Sequence, residues 1–358
     1  MLEKNPNIRA RCERIESLTA ELKIMLPTVL SETGIRSLEA LHGIYGGKFD
    51  VYMNSRTDIV YSPDELITRY MTGLLEKAKT NNTARCHLKR LRECPTLRKY
   101  LFLFLERMYY RNFDALRRVR PENDEDAQIW IGQNNADWGI LITPRFNETT
   151  QQWENDGSEI RHFPCLYWTI GHVLRTGLVV PGKNNIQSFT DVENYLQFFL
   201  NILVRNSGSP HEYKLASIYY DYVVNQEDAD SIPLLIPEYR YGGISPIHRY
   251  RLDFTIINPY SLAKYGFELS PWSTHGKITG TKAMTQKRIN DIAQGHFENE
   301  MEKQKEFFNL HHIFTRIYTD KDLADLDLIF NRDMIPILSA KPTVVAPDYA
   351  VVDQILGV

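Results

Sequence analysis

The stretch from Glu238 to Lys277, EYRYGGISPIHRYRLDFTIINPYSLAKYGFELSPWSTHGK, constrains the chain more than any other. Two short runs in it, HRYRLDFTII and YGFELS, read as strands, and each has one acid at its centre. Successive side chains of a strand point to opposite faces, so Tyr250, Leu252, Phe254 and Ile256 share one face. Asp253 then shares the other with Arg251 and Thr255. In the second run Phe267 and Leu269 point one way, and Gly266, Glu268 and Ser270 the other. Asn258-Pro259 is a turn signal, and the loop after it is short enough for the strands to pair. Pairing with the apolar faces aligned brings Asp253 and Glu268 to one side. Like charges raise each other's pKa unless a cation or proton intervenes. A hard, oxygen-seeking ion such as Mg²⁺ fits a site of one or two carboxylates. The alternatives are an edge salt bridge from Asp253 to Arg251 or Arg249, and an exposed edge position for Glu268.

A chain of 358 residues has room for two or three domains, and 24% charged residues with a net charge of −3 do not mark it as a nucleic-acid binder as a whole. Any such role must rest on local charge. Cys12, Cys86, Cys94 and Cys165 show neither CxxC nor zinc spacing and read as reduced thiols, which fits a cytoplasmic protein. The charged opening, MLEKNPNIRARCERIE, lacks the apolar core of a signal peptide, and no uncharged run of about 18 residues suggests a membrane span.

Four regions are expected: a helical one over 1–125, a small Trp-rich β-containing module over 126–188, a third domain over 189–345, and a tail over 346–358. In the first, Ile8 to Leu26 repeats apolar residues at helical spacing. Ser62-Pro63-Asp64-Glu65 reads as a capped helix start with a capping box. From Thr83 to Pro121 there are eleven Lys or Arg against three acids, with Tyr109, Tyr110 and Phe113 interleaved. Lys89, Arg90, Arg107, Arg111, Arg117 and Arg118 are candidates for a phosphate-backbone footprint. The competing reading is a solvated helix face beside a core stripe of Leu97, Leu101, Phe104, Leu105 and Met108. In the module, Trp130, Trp138, Trp153 and Trp168 read as a small core rather than a ligand cage. The loop Gln133-Asn134-Asn135 is a candidate for reading a base or small ligand. Further on, Ser209 caps a helix with Pro210 first and Glu212 in its first turn.

From Ser209 onward the expected order is helix, three strands, helix, strand, helix, with an acid in the second strand and another in the third. Over about 209–337, under 40% of the chain, this resembles the PD-(D/E)xK nuclease superfamily, whose members include restriction endonucleases. The resemblance implies an α/β fold with a C-terminal restriction-endonuclease-like core (α-β-β-β-α-β), preceded by the helical region and the Trp-rich module. It implies that Asp253 and Glu268 bind one or two divalent ions, Mg²⁺ or Mn²⁺, and that Glu212 joins them from the helix. The family's lysine belongs two residues past Glu268, where this chain has Ser270. Lys277, Lys282 or Lys287 would reach back, or Ser270 would position the water. His248 and His275 flank the site as further polar candidates. The implied activity is a metal-dependent endonuclease acting on DNA, resembling bacterial phage-defence or restriction-type nucleases, with a sensing, restraining or homo-oligomer-forming front half. The alternative is a catalytically inactive nucleic-acid-binding or assembly protein on the same fold.

Overall fold

The structure, a computed structural model of the chain, describes residues 6–46, 49–53, 58–117, 121, 126–244, 252–269, 285, 287–288, 311–341 and 352. It divides into two compact units, one of Met1–Arg120 with Lys341–Val358 and one of Pro121–Ala340.

The first unit is helical: α1 (Pro6–Thr33), α2 (Leu38–Ile44), α3 (Phe49–Tyr52), α4 (Pro63–Thr80), α5 (Asn82–Glu93), α6 (Pro95–Arg111) and α7 (Phe113–Leu116). The periodicity expected to Leu26 continues through Pro27 to Thr33. Ser62 Oγ accepts from Glu65 N at 3.1 Å, as a cap should. The Glu65 carboxylate reaches one residue further back than a capping box requires and accepts from Tyr61 N at 2.9 Å. Asn81 closes α4 and caps α5, its Oδ1 accepting from Ala84 N. Leu97, Leu101 and Leu105 are buried, with Phe104 and Met108 partly so, as the stripe predicts.

Gly73 on α4 meets α3 so closely that a Cβ there would fall onto the Tyr52 carbonyl, backbone that cannot step aside. Gly73→Ala is therefore expected to destabilise this unit by about 1–3 kcal/mol, as overpacking does, despite alanine's better helix propensity. Urea denaturation followed by circular dichroism checks it; a variant as stable as wild type refutes the close packing.

The second unit is mixed α/β. One sheet has the order β1 (Gln128–Ile131), β2 (Trp138–Leu141), β5 (Leu178–Val179), β6 (Ile186–Gln187), antiparallel throughout, and β3 (Pro144–Asn147) and β4 (Gln152–Asn155) form a separate hairpin. After α8 (Ile170–Thr176) and α9 (Val192–Phe198), a π-helical segment Phe199–Val204 leads to α10 (Pro210–Val224). The second sheet has β7 (Leu235–Pro237), β8 (Phe254–Ile257), β9 (Lys264–Leu269) and β10 (Ile313–Tyr318) in the order β10-β9-β8-β7. Its β7–β8 and β8–β9 pairs are antiparallel and β9–β10 is parallel. The turn between β8 and β9 is made by Asn258, whose Oδ1 accepts from Tyr260 N and Ser261 N. A helical run closes the unit: α11 (Leu326–Ile329), a π-helical segment Phe330–Met334 and α12 (Ile335–Leu338). The helix expected over 281–310 lies outside the described residues, apart from 285 and 287–288.

Two expected boundaries are corrected. No division falls at 188/189, because Ile129, Ile140, Tyr167, Trp168, Leu215, Phe254 and Phe267 belong to one continuous core. Ile131 bridges Tyr239, and Arg240 N donates to Trp130 O at 2.9 Å, so β1 borders the chain leaving β7. The expected tail at 346–358 is not free either: Val352, its described residue, is buried in the helical unit's core. Trp130, Trp153 and Trp168 are buried, as a core reading of the tryptophans requires. None of the four cysteines is in a disulfide. Among the described residues no helix is long and apolar enough to cross a membrane.

Candidate functional site

The register of β8 and β9 brings the two strand acids together. Phe254 lies opposite Phe267 and Thr255 opposite Gly266. Period-two alternation then puts Asp253 and Glu268, the next pair, on the face of Thr255 and Gly266. Leu269 N donates to Asp253 Oδ2 at 2.6 Å, which fixes one oxygen of that carboxylate against the end of β9.

A third acid arrives from β7. Pro237 is paired with Phe254, and the residue after it, Glu238, donates its N–H to Asp253 O at 3.2 Å. Glu238 adopts the left-handed conformation, φ 45°, which non-glycine residues rarely take. Two bonds from the β1–β2 loop hold it there: Gly132 N donates to Glu238 O at 3.2 Å, and Gln133 Nε2 to Glu238 Oε1 at 3.0 Å. The fourth acid is Glu212. Ser209 Oγ accepts from Glu212 N at 3.3 Å and Pro210 occupies the first helical position, so α10 starts where the sequence places it. Glu212 faces inward and is 6% exposed.

Burial and carboxylate repulsion raise the pKa of two of these groups, Glu212 and Asp253. Glu212 is pushed up to about 7, first by desolvation and then by Glu238 and Glu268, while hydrogen bonding with Ser207 and Ser209 pulls the other way. Asp253 is raised well above the ordinary carboxylate range, first by desolvation, then by Glu268 and Glu212. The Leu269 N–H opposes the shift and Glu238 adds to it. The charges bearing on both groups are other carboxylates. Asp333, on the π-helical segment, is also buried but shows the usual remedy. Burial works against its charge, yet the bonds from Arg332 and Tyr318 and the nearby Arg316 outweigh it and hold its pKa low. The chain neutralises this buried acid with two arginines, whereas the charges bearing on Glu212 and Asp253 among the described residues are carboxylates.

An all-oxygen donor set suits Mg²⁺ or Mn²⁺ rather than a soft metal. Glu212 Oε2 is buried without a hydrogen-bond partner among the described residues, an acceptor that costs free energy unless something binds it. In this respect the residues fit a divalent ion. They are not drawn into a finished cage: among the described residues no three His, Cys, Asp or Glu side chains are already arranged to hold a metal.

Of the other residues expected at the site, Ser270, Lys277, Lys282, His248 and His275 lie outside the described residues, and Lys287 is exposed. The basic candidates lie in the helical unit. Lys89, Arg90 and Arg111 are exposed, and Arg118 lies outside the described residues. Arg107 and Arg117 lay their guanidinium groups over Phe104 and Phe113, at 5.7 and 4.3 Å from the ring centroids. Tyr109, which the sequence sets among these charges, is turned into the core. It is 2% exposed, donates its hydroxyl to Tyr61 O at 2.6 Å, and meets Tyr110 and Phe113 edge to face. Sequence reading missed Glu238 and the role of Gln133, which depend on a left-handed residue and on a partner over a hundred positions away.

No protein-family model, no curated protein and no solved structure matches the chain.

Proposed function

We propose that the chain is a metal-dependent endonuclease that hydrolyses phosphodiester bonds of DNA, on a restriction-endonuclease-like core made of α10, β7 to β10 and α11. One observation carries this reading: three strands and a helix set half-buried Asp253 and buried Glu212 beside the buried Glu238 and Glu268, and desolvation and carboxylate repulsion are the main forces raising the pKa of Glu212 and Asp253. Keeping charges so placed costs stability, and a divalent ion removes that cost.

In this reading Asp253 and Glu268 are the main ligands and Glu212 joins them through its free Oε2. Glu238, pinned by Gln133, completes the negative field. When bound, the ion stabilises charge on the scissile phosphate and lowers the pKa of a water. The Leu269 N–H keeps Asp253 oriented, and the Ser209 cap fixes the helix turn carrying Glu212. Ser270, Lys277 and Lys282 are the proposed groups for orienting the water or holding the phosphate. The helical unit, with Lys89, Arg90, Arg107, Arg111, Arg117 and Arg118, is proposed as the regulatory portion of a phage-defence effector in the cytoplasm, contacting DNA or a second copy of the chain.

Incubating the purified protein with supercoiled plasmid tests this. Nicked or linear product is expected with millimolar Mg²⁺ or Mn²⁺ and none with EDTA. A plasmid left intact with either metal at neutral and alkaline pH sinks the reading. Ser270, standing where the resemblance calls for a lysine, favours a second reading, a non-catalytic DNA-binding protein on the same core. It predicts salt-sensitive DNA binding that no metal converts to cleavage.

A further inference from the structure

The N-terminal end of α10 carries a feature beyond the acids. The π-helical segment Phe199–Val204, the turn Arg205–Ser207 and the start of α10 enclose an open cleft of about 400 Å³. That is within the ~300–1,000 Å³ typical of small-molecule sites. Asn201, Arg205, Ser209 and Tyr213 line it. Gly208 enters α10 in the left-handed conformation, φ 69°, with open space where a Cβ would be. Tyr213 follows Glu212 directly; Glu212 is buried among the acids, while Tyr213 is 45% exposed. Arg205 is exposed and makes no ion pair among the described residues. A π-helical segment in an otherwise α-helical run is a frequent mark of a functional site.

We propose that this cleft is a nucleotide subsite, in which an unpaired base stacks on Tyr213 while Arg205 takes a flanking phosphate, leading the strand onto Glu212. The inference rests on the nuclease reading for the direction in which the strand runs, and it names the substrate. An exposed aromatic ring is sequence-tolerant, because every base has a stacking face. It cannot take a base that remains in a duplex stack, so the subsite selects single-stranded or locally melted DNA over intact duplex. Arg205 supplies the charge, and its guanidinium can grip two phosphate oxygens at once.

Fluorescence anisotropy with a short labelled single strand, with Ca²⁺ in place of Mg²⁺, tests this on the full chain. Wild type is expected to prefer the single strand over its duplex. Tyr213→Ala is expected to weaken single-strand binding roughly 5- to 100-fold, the usual worth of one stacked base, and Tyr213→Phe to retain it. Arg205→Ala is expected to weaken binding and reduce its salt dependence by about one phosphate contact. Both side chains are exposed, so circular dichroism should show the fold unchanged. Single-strand affinity of both alanine variants within about twofold of wild type overturns the proposal, as does equal affinity for single strand and duplex. The plasmid assay keeps the two readings apart. Cleavage with unchanged binding in the variants removes the subsite alone. Binding that depends on Tyr213 without cleavage removes the nuclease and leaves the subsite.

Discussion

Replacing Asp253 by asparagine is expected to abolish metal-dependent cleavage and, in the same protein, to raise the melting temperature without metal. The two effects have one cause. Asp253 is held among Glu212, Glu238 and Glu268, and desolvation and their charges push its pKa well above the ordinary range. Asparagine has nearly the same shape, keeps an oxygen to accept from Leu269 N, and removes the charge. The folded state loses a repulsion that the unfolded chain does not have. Relief of about 1 kcal/mol moves the melting temperature of a unit this size by roughly 2–4 °C. Cleavage falls because an amide is a poor substitute for a carboxylate on a divalent ion. Several kcal/mol of transition-state stabilisation are at stake, roughly a thousandfold at about 1.4 kcal/mol per factor of ten. Glu268→Gln should behave alike. A purely structural Asp253 predicts the reverse stability result, since deleting a satisfied buried charge is destabilising. Plasmid cleavage and a thermal melt on the same preparation decide it: undiminished cutting ends the site assignment, and a lowered melting temperature ends its electrostatic explanation.

What could be read from the sequence was what depends on short range. The caps at Ser62 and Ser209, the alternation in β8 and β9 and the Asn258 turn are local chemistry, and each stands within a residue or two of its expected place. Asp253 beside Glu268 was legible for the same reason, because two short strands joined by a tight turn leave little choice of register. Glu238 was not. Its entry into the cluster needs a non-glycine residue in the left-handed region, held by Gly132 and Gln133 from another sheet. Neither pattern nor propensity encodes such a contact. The boundary expected at 188/189 was lost similarly. The change in texture near Gln128 is real, but core membership is decided by side chains such as Trp168 and Leu215, whose company is long-range. The basic stretch shows a third limit: composition placed Tyr109 among positive charges, while helical geometry turned it into the core.

The metal-free protein is expected to lose stability as the pH rises from about 5 to about 7, and a divalent ion to reverse that trend. The sign follows from Glu212, whose pKa is raised from 4.5 to about 7 on folding. Between those values the folded chain keeps a proton that the unfolded chain has released. Stability therefore falls with rising pH across this window and levels off above it. The shift corresponds to on the order of 3 kcal/mol, with Asp253 acting in the same direction. Mg²⁺ or Mn²⁺ needs the deprotonated carboxylates, so its stabilisation should be absent near pH 5 and full near pH 8. At a hundred times its dissociation constant it contributes about 2.7 kcal/mol. Urea denaturation across this range, with EDTA and with Mn²⁺, should give two curves that coincide in acid and diverge in base. Glu212→Gln should flatten the EDTA curve and shrink the divergence. Were the EDTA curve instead to climb between pH 5 and 7, these carboxylates would be paired with cations in the folded protein, and the buried Glu212 Oε2 would not be a metal ligand.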